Sequence, residues 1–313
     1  MQFSTDTILS VFGMLPAALF IIAALGVFGA STIAPVNEMV ARSKKKIFFD
    51  KFAEQLTAMN LLAAVVAIAG LGICFFSLNA DSDWFNMWLK RQQVELMIFG
   101  GAFSLMLIGA TTYKFTWKKL RKKKDAHIPM GLLTTLTGLA SLGAAAYIAI
   151  SMRTSYIIAA GATKAMVTAL QSVYVPFLVF LLAAALSSAG AMSLIYLVLR
   201  RNKDDFGRDY YKFSLPLAAR WSIYPTILVL IAQFWLVMTL PEAAKTIVMS
   251  GSGLILWGAS MAITALCCGL WFPISKSETP LRFKGLVYLG TLLLWVAYAF
   301  FISTGFMILN AIK

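Results

Sequence analysis

The chain alternates between long apolar segments and short polar stretches along its whole length. A helix needs about 20 apolar residues to cross the hydrocarbon core of a bilayer, and each segment meets that length. The segments are continuous, whereas the strands of an outer-membrane barrel alternate apolar and polar positions. The pattern therefore predicts an all-α integral membrane protein with eight transmembrane helices, at roughly 9–35, 57–79, 95–113, 130–152, 174–199, 217–240, 249–273 and 285–310.

Composition supports this interpretation and excludes other classes of protein. Hydrophobic residues make up 60% of the chain and charged residues 13%, whereas soluble domains contain about 45–50% and about 25%. The mean hydropathy is +0.81, so a soluble globule and a disordered chain are both excluded. We expect a single transmembrane domain over 1–313. Within it, 1–152 form a first antiparallel four-helix bundle, 153–173 an outer connector, and 174–313 a second set of four helices.

The positive charges predict the orientation of the helices. Of the 27 lysines and arginines, 21 lie in four stretches, 37–56, 114–128, 200–220 and 274–284, which occupy alternate gaps between the apolar segments. By the positive-inside rule these stretches are cytoplasmic, and the N-terminus and C-terminus both lie outside. The net charge of +14 is thus explained by topology and by contact with lipid, and it requires no nucleic-acid partner.

The chain offers few side chains for metal or redox chemistry. Its three cysteines, Cys74, Cys267 and Cys268, lie in apolar runs and are predicted to pack as small apolar residues. Its one histidine, His127, follows a run of lysines, and we expect a solvated loop residue there. No metal-ligand spacing exists, and a haem held by two histidines cannot be built within this chain.

The apolar segments contain no Asp, Glu, Lys, Arg or His deep in their interiors, which disfavours an ion- or proton-coupled transporter. Asn60 and Gln233 are polar and neutral, and we expect each to hydrogen-bond a neighbouring helix rather than a substrate. Most tryptophans lie near the predicted helix ends and are expected to form belts at the membrane interface: Trp84, Trp88, Trp117, Trp221, Trp235 and Trp271.

Three stretches of the chain resemble subunit I of cytochrome bd-type quinol oxidases. The first, KKKIFFDKFAEQLTAMNLLAAVVAIAGLG (44–72), is similar to that family's first inner loop and second helix. Residues 95–152 follow its third and fourth helices, with a basic turn around a Trp and a His between them. Residues 180–223 are similar to its fifth helix, the basic hairpin and the entry to the sixth.

The resemblance implies a bd-type scaffold in a bacterial cytoplasmic (inner) membrane, but without the family's haem. Family members bind haem through histidines in helices one and five, and those positions fall near Ala17 and Leu181 in this chain. The family's long outer quinol-binding loop is missing as well. A rival resemblance links 175–197 to the quinol-oxidising membrane anchors of dimethyl-sulfoxide and polysulfide reductases, whose core is arranged differently.

Both resemblances imply a haem-free, non-catalytic subunit of a quinone-linked respiratory complex. Its redox centres belong to partners, such as a c-type cytochrome or an iron–sulfur subunit, and this chain alone binds no cofactor except a possible quinone. We expect such a quinone site near the outer interface, with Glu95 accepting a proton and Arg153 and Tyr156 donating to a carbonyl. The alternatives are a structural or assembly subunit with no redox role and, less favoured, a small-solute transporter.

Overall fold

The computed structural model describes residues 5–79, 83–120, 123–159, 173–204 and 206–311. These residues form ten α-helices and one 3₁₀-helix, Pro280–Phe283. Eight of the helices are long and apolar enough to cross a membrane, as the sequence predicts. The helices are α1 (Thr5–Lys44), α2 (Ile47–Asn79), α3 (Asp83–Arg91), α4 (Gln93–Leu120), α5 (Lys124–Ala159), α6 (Tyr174–Arg200), α7 (Arg208–Met238), α8 (Glu242–Val248), α9 (Gly251–Lys276) and α10 (Lys284–Ala311).

The helices extend past the apolar segments into the lysine-rich stretches. Helix α1 continues to Lys44, and α5 begins at Lys124. The ends of α1, α4, α6 and α9 and the starts of α2, α5, α7 and α10 therefore lie at one end of the protein, which we call the basic end. Short helices α3 and α8 lie at the opposite end, the far end. That the basic end faces the cytoplasm stays a prediction.

The first four spanning helices form a closed antiparallel bundle. Helix α1 packs on α2, α2 on α4, α4 on α5, and α5 returns to α1. This arrangement confirms the predicted N-terminal four-helix bundle. It also favours the bd-type scaffold over the rival anchor family, because the two interpretations differ in this core. At the far end Trp88 of α3 is buried in a small apolar cluster with Ile148 of α5.

The last four spanning helices form a second closed ring, in which α6 contacts α7, α7 contacts α9, α9 contacts α10, and α10 contacts α6. Helix α1 joins the two bundles, because it also packs along α6 and α10. Residues 160–172 of the predicted connector lie outside the described residues, and α5 extends as far as Ala159 before them.

Small residues allow the central helices to approach closely. A Cβ on Gly29 of α1 would lie 2.0 Å from the carbonyl oxygen of Ala185 in α6, so only glycine fits there. A Cβ on Gly190 of α6 would likewise lie 2.5 Å from the backbone nitrogen of Ser222 in α7. Without a strong hydrophobic force between helices in lipid, such close packing supplies much of the attraction.

The tryptophan prediction is wrong at three positions. Trp271 is fully buried, and Trp117 and Trp88 are 3% and 8% exposed, so none of them lies in a lipid-facing belt. Trp235, by contrast, is 42% exposed. Position near the end of a helix does not reveal which face of that helix a residue occupies, and these three side chains point into the protein.

Candidate functional site

The sequence-predicted quinone residues lie at the far end, on α4 and α5. Glu95, in the first turn of α4, is partly buried and lines a groove of about 560 Å³ with Tyr147 and Tyr174. Its carboxylate has no hydrogen-bond or ion-pair partner among the described residues. Arg153 and Tyr156 fall in the last turns of α5, but their side chains lie outside the described residues. Whether the three side chains meet therefore stays a prediction.

A second, more enclosed cavity of about 350 Å³ lies between the two bundles at the far end. Its walls come from α1, α5, α6, α7, α9 and α10 and are almost entirely apolar, with Phe177, Phe180 and Phe301 among them. Leu181, near the position of a family haem ligand, also lines it. Ligand pockets of this size and apolarity usually carry a few polar groups that orient the ligand.

One such polar group is Trp257 of α9. Its ring lines the cavity, and its indole nitrogen is buried with no hydrogen-bond acceptor among the described residues. An indole N–H can only donate, so this group is suited to a carbonyl or ether oxygen of a ligand.

The other is Gln233 of α7, where the sequence-based expectation is wrong. The side chain is fully buried, yet neither its amide nitrogen nor its amide oxygen bonds any described residue. Gln233 does not itself line the cavity, but it lies on α7 one turn before the cavity-lining residues Leu236 and Val237. Asn60, in contrast, donates to Ser31 Oγ at 3.0 Å as predicted.

The cavity also has a fixed polar wall at Tyr298 of α10. The hydroxyl of Tyr298 lies 3.3 Å from Ser188 Oγ and 3.3 Å from the carbonyl oxygen of Ala184, so α6 holds it in place. Its ring is 2% exposed and faces the cavity. The sequence analysis did not single out Trp257 or Tyr298, and it treated Gln233 only as a residue of helix packing. All three lie inside apolar segments, and only the structure places Trp257 and Tyr298 in the cavity wall and Gln233 one helical turn from it.

At the basic end, the first bundle encloses an ionic cluster, formed by Glu38, Asp50, Tyr113, Lys124 and His127. His127 Nδ1 lies 2.9 Å from both oxygens of Glu38, and its Nε2 lies 3.0 Å from the carbonyl oxygen of Tyr113. Tyr113 donates its hydroxyl to Glu38 at 2.5 Å, and Lys124 pairs with Asp50 and lies 3.7 Å from Glu38. Each of the four helices contributes at least one of these side chains.

The expectation of a solvated loop histidine is therefore wrong. His127 lies in the first turn of α5 and is 1% exposed, stacked on the Tyr113 ring with centroids 4.3 Å apart. Both ring nitrogens lie within hydrogen-bond distance of oxygen atoms, one side of the ring at Glu38 and the other at the Tyr113 carbonyl. The cluster therefore fastens the four helices of the first bundle to one another.

A second polar contact joins the bundles at the same end. Asp204 accepts two hydrogen bonds from Arg200, at 2.7 and 3.0 Å, and a third from Gln55 of α2 at 3.1 Å. Gln55 in turn accepts from Tyr210 of α7 at 2.5 Å. Burial raises the pKa of the Asp204 carboxyl, but the bonds from Arg200 and Gln55 outweigh it, so the net pKa is lowered.

In the described parts of the chain, no group of three or more His, Cys, Asp or Glu side chains is arranged to hold a metal ion. Two groups without a hydrogen-bond partner among the described residues line the far-end cavity and the groove: the Trp257 indole in the cavity and the Glu95 carboxylate in the groove. Their chemistry is that of one donor and one acceptor, each beside an apolar space, which suits a lipophilic molecule bearing oxygen atoms.

Comparison with known proteins gives one informative likeness. No protein-family model matches the sequence, and no curated protein does either. The structure, however, is similar to a chain of the bd oxidase from Geobacillus thermodenitrificans, with a TM-score of 0.73 over 98% of this chain and 87% of that chain, at 13% sequence identity. The chain therefore has the all-helical membrane fold of a bd oxidase, which confirms at the level of fold the resemblance seen in the sequence.

Proposed function

We propose that this protein is a membrane subunit of a quinone-linked respiratory electron-transfer complex, and that it binds a quinone in the far-end cavity. The observation that supports the proposal is an apolar cavity of about 350 Å³ with an unbonded buried indole in its wall, that of Trp257, and an unbonded buried amide one helical turn from its lining, that of Gln233. A buried polar group without a partner costs about 1–3 kcal/mol, so a ligand that bonds it is bound correspondingly more tightly.

A quinone fits these groups. Its ring carries two carbonyl oxygens that accept hydrogen bonds, and its isoprenoid tail is apolar like the cavity walls. The Trp257 N–H donates to one carbonyl, and the Gln233 amide, one turn deeper, donates to the other. Phe177, Phe180 and Phe301 enclose the ring and exclude water. A bound quinone supplies two-electron chemistry, while this chain orients it and keeps it dry.

The groove at Glu95 is a second candidate quinone site, and its unpaired, partly buried carboxylate favours it. There Glu95 accepts a proton from a quinol hydroxyl, and Arg153 and Tyr156 donate to the opposite oxygen. The two candidates are distinguished by substitution, since no residue lines both the groove and the cavity.

We further propose that the chain holds no haem of its own and that redox centres belong to partner subunits, such as a c-type cytochrome or an iron–sulfur protein. The support is the engagement of the sole histidine, His127, by Glu38 and Tyr113, together with the absence of histidine near Ala17 and Leu181. A Soret band in the purified chain, free of partners, would contradict this part of the proposal.

The same proposal places the protein in a bacterial cytoplasmic membrane with the basic end inside, as the charge distribution predicts. A single cysteine replacing Lys46 in a cysteine-free background should then resist a membrane-impermeant maleimide in spheroplasts. A cysteine replacing Ser250, at the far end, should react with it. If the cysteine at position 46 reacted and the cysteine at position 250 did not, the basic end would face outwards and the predicted orientation would be wrong.

The quinone proposal is tested by measuring quinone bound to the purified protein. Protein is extracted from membranes in mild detergent, and quinone is quantified by chromatography after solvent extraction. We expect about one quinone per chain, a loss of at least tenfold in the double variant Trp257→Phe and Gln233→Leu, and no change in the matched lipid-facing control Trp235→Phe. Loss in Glu95→Gln instead would assign the groove. No quinone in the unsubstituted protein would favour a structural or assembly subunit.

Stability provides an independent measurement at Gln233. In quinone-free protein, Gln233→Leu removes an unbonded amide and keeps the volume, so it should raise the free energy of unfolding by about 1–3 kcal/mol. If Gln233 were bonded within the protein, the same substitution would lower it.

A further inference from the structure

A cleft of about 680 Å³ at the basic end of the second bundle collects positive charge. It lies between the α6–α7 connection, the start of α7 and the 3₁₀-helix before α10. The cations that line it are Arg201, Arg208, Lys212 and Arg282, and we call this the cationic cleft. Among the described residues, the one carboxylate that lines it is Glu278.

The three arginines of the cleft have no counter-ion within the described part of the chain. Lys212 lies 3.6 Å from Glu278, but that carboxylate is 90% exposed, and an exposed pair of this kind is weak. The side chains of Arg201, Arg208 and Arg282 make no ion pair or hydrogen bond with any described residue, and all three are exposed.

Some cations at the same end of the protein are neutralised by acidic side chains. Arg200 donates two hydrogen bonds to Asp204, and Lys124 pairs with Asp50 and lies near Glu38. Acidic side chains thus neutralise the charges of Arg200 and Lys124. The cleft, by contrast, brings together three guanidinium groups that repel one another. An anion bound among them relieves that repulsion.

The shape and composition of the cleft indicate which anion. Arginine presents a planar pair of donors that matches two oxygens of a phosphate. The cleft also includes Gly207, which precedes α7 at φ +82° and provides no side-chain cap, so the first backbone N–H groups of α7 remain as further donors. Its inner wall is apolar at Pro280 and Leu281.

We propose that the cationic cleft binds a phosphate-bearing anion, held by Arg201, Arg208 and Arg282. The cleft lies where α6, α7, α9 and α10 leave the apolar span, which is the level of lipid headgroups, and basic pockets between membrane helices suit anionic phospholipids. A phospholipid phosphate and a free phosphate ester share the recognised chemistry, and the experiment separates the two sources.

The test measures binding by the purified full-length protein after delipidation in detergent. Thermal unfolding is followed while phosphatidylglycerol, phosphatidylcholine or inorganic phosphate is added. We expect phosphatidylglycerol to stabilise the protein at low concentration and phosphatidylcholine not to. Stabilisation by inorganic phosphate alone at equal concentration would assign a soluble ligand of the same chemistry. No effect of either anion would overturn the proposal.

Matched variants locate the effect. The triple variant Arg201→Gln, Arg208→Gln and Arg282→Gln should bind phosphatidylglycerol roughly 100-fold more weakly, since each cation near the surface contributes about a factor of five. The control triple variant Lys46→Gln, Lys118→Gln and Lys119→Gln removes the same charge from exposed positions at the same end. Equal weakening in both variants would show general attraction to the basic end and would refute a defined site.

If the triple variant does not fold, the site can still be located by labelling the unsubstituted protein. A photoreactive phosphatidylglycerol, cross-linked in vesicles of phosphatidylcholine, should label peptides containing 201–212 or 277–283 above all others. Labelling spread evenly over the lysine-rich connections would overturn the assignment.

Discussion

The ionic cluster inside the first bundle makes a quantitative prediction about stability. Glu38 is 1% exposed. Its carboxylate is hydrogen-bonded to Tyr113 and His127 and forms an ion pair with Lys124. Removing one partner of a buried charge pair leaves the other uncompensated, at a cost of about 3–5 kcal/mol. We therefore expect Glu38→Leu and His127→Leu each to lower the free energy of unfolding by that amount.

The double variant Glu38→Leu and His127→Leu gives the sharper result. Replacing both charges by apolar side chains removes the desolvation cost of both, so the loss should be several kcal/mol smaller than the sum of the two single losses. Unfolding is followed by tryptophan fluorescence during titration of detergent micelles with SDS, with exposed Glu278→Gln as a control expected to change stability by less than about 1 kcal/mol. Single variants that cost under 1 kcal/mol, or losses that simply add, would refute the reasoning.

Two further predictions concern helix packing and pH. Gly29→Leu should sharply reduce the yield of monodisperse protein in size-exclusion chromatography, because the α6 backbone blocks the added side chain, whereas Gly13→Leu, with open space around it, should not. Because the pKa of Asp204 is lowered in the folded protein, its ionised form stabilises the fold at neutral pH, and this contribution is lost as the pH falls below about 4. The stability difference between the unsubstituted protein and Asp204→Asn should therefore shrink over that range, and a difference that grew on acidification would contradict the assignment.

The sequence was sufficient to predict the spanning helices because their signal is local. Apolar runs of about 20 residues have few alternatives in a membrane, so the eight helices and the first closed bundle were predicted correctly. The alternation of charge likewise predicted that the four lysine-rich connections lie at one end.

The sequence did not reveal the ionic cluster because its partners are distant in the chain. His127 is 89 residues from Glu38, and only the bundle brings them together. The sequence analysis placed the start of the fourth spanning segment at residue 130, so His127 was expected in a solvated loop. In the structure α5 already begins at Lys124, and His127 therefore lies in its first turn. Gln233 shows the opposite failure, since the amide predicted to bond a neighbouring helix has no such bond among the described residues.

The position of α1 between the bundles has a consequence for biogenesis. Helix α1 is synthesised before α6 and α10, two of its packing partners, which follow much later in the chain. The close-contact surface around Gly29 therefore faces lipid or a chaperone until α6 has been inserted. The N-terminal half consequently reaches its final packing only after the second half has entered the membrane.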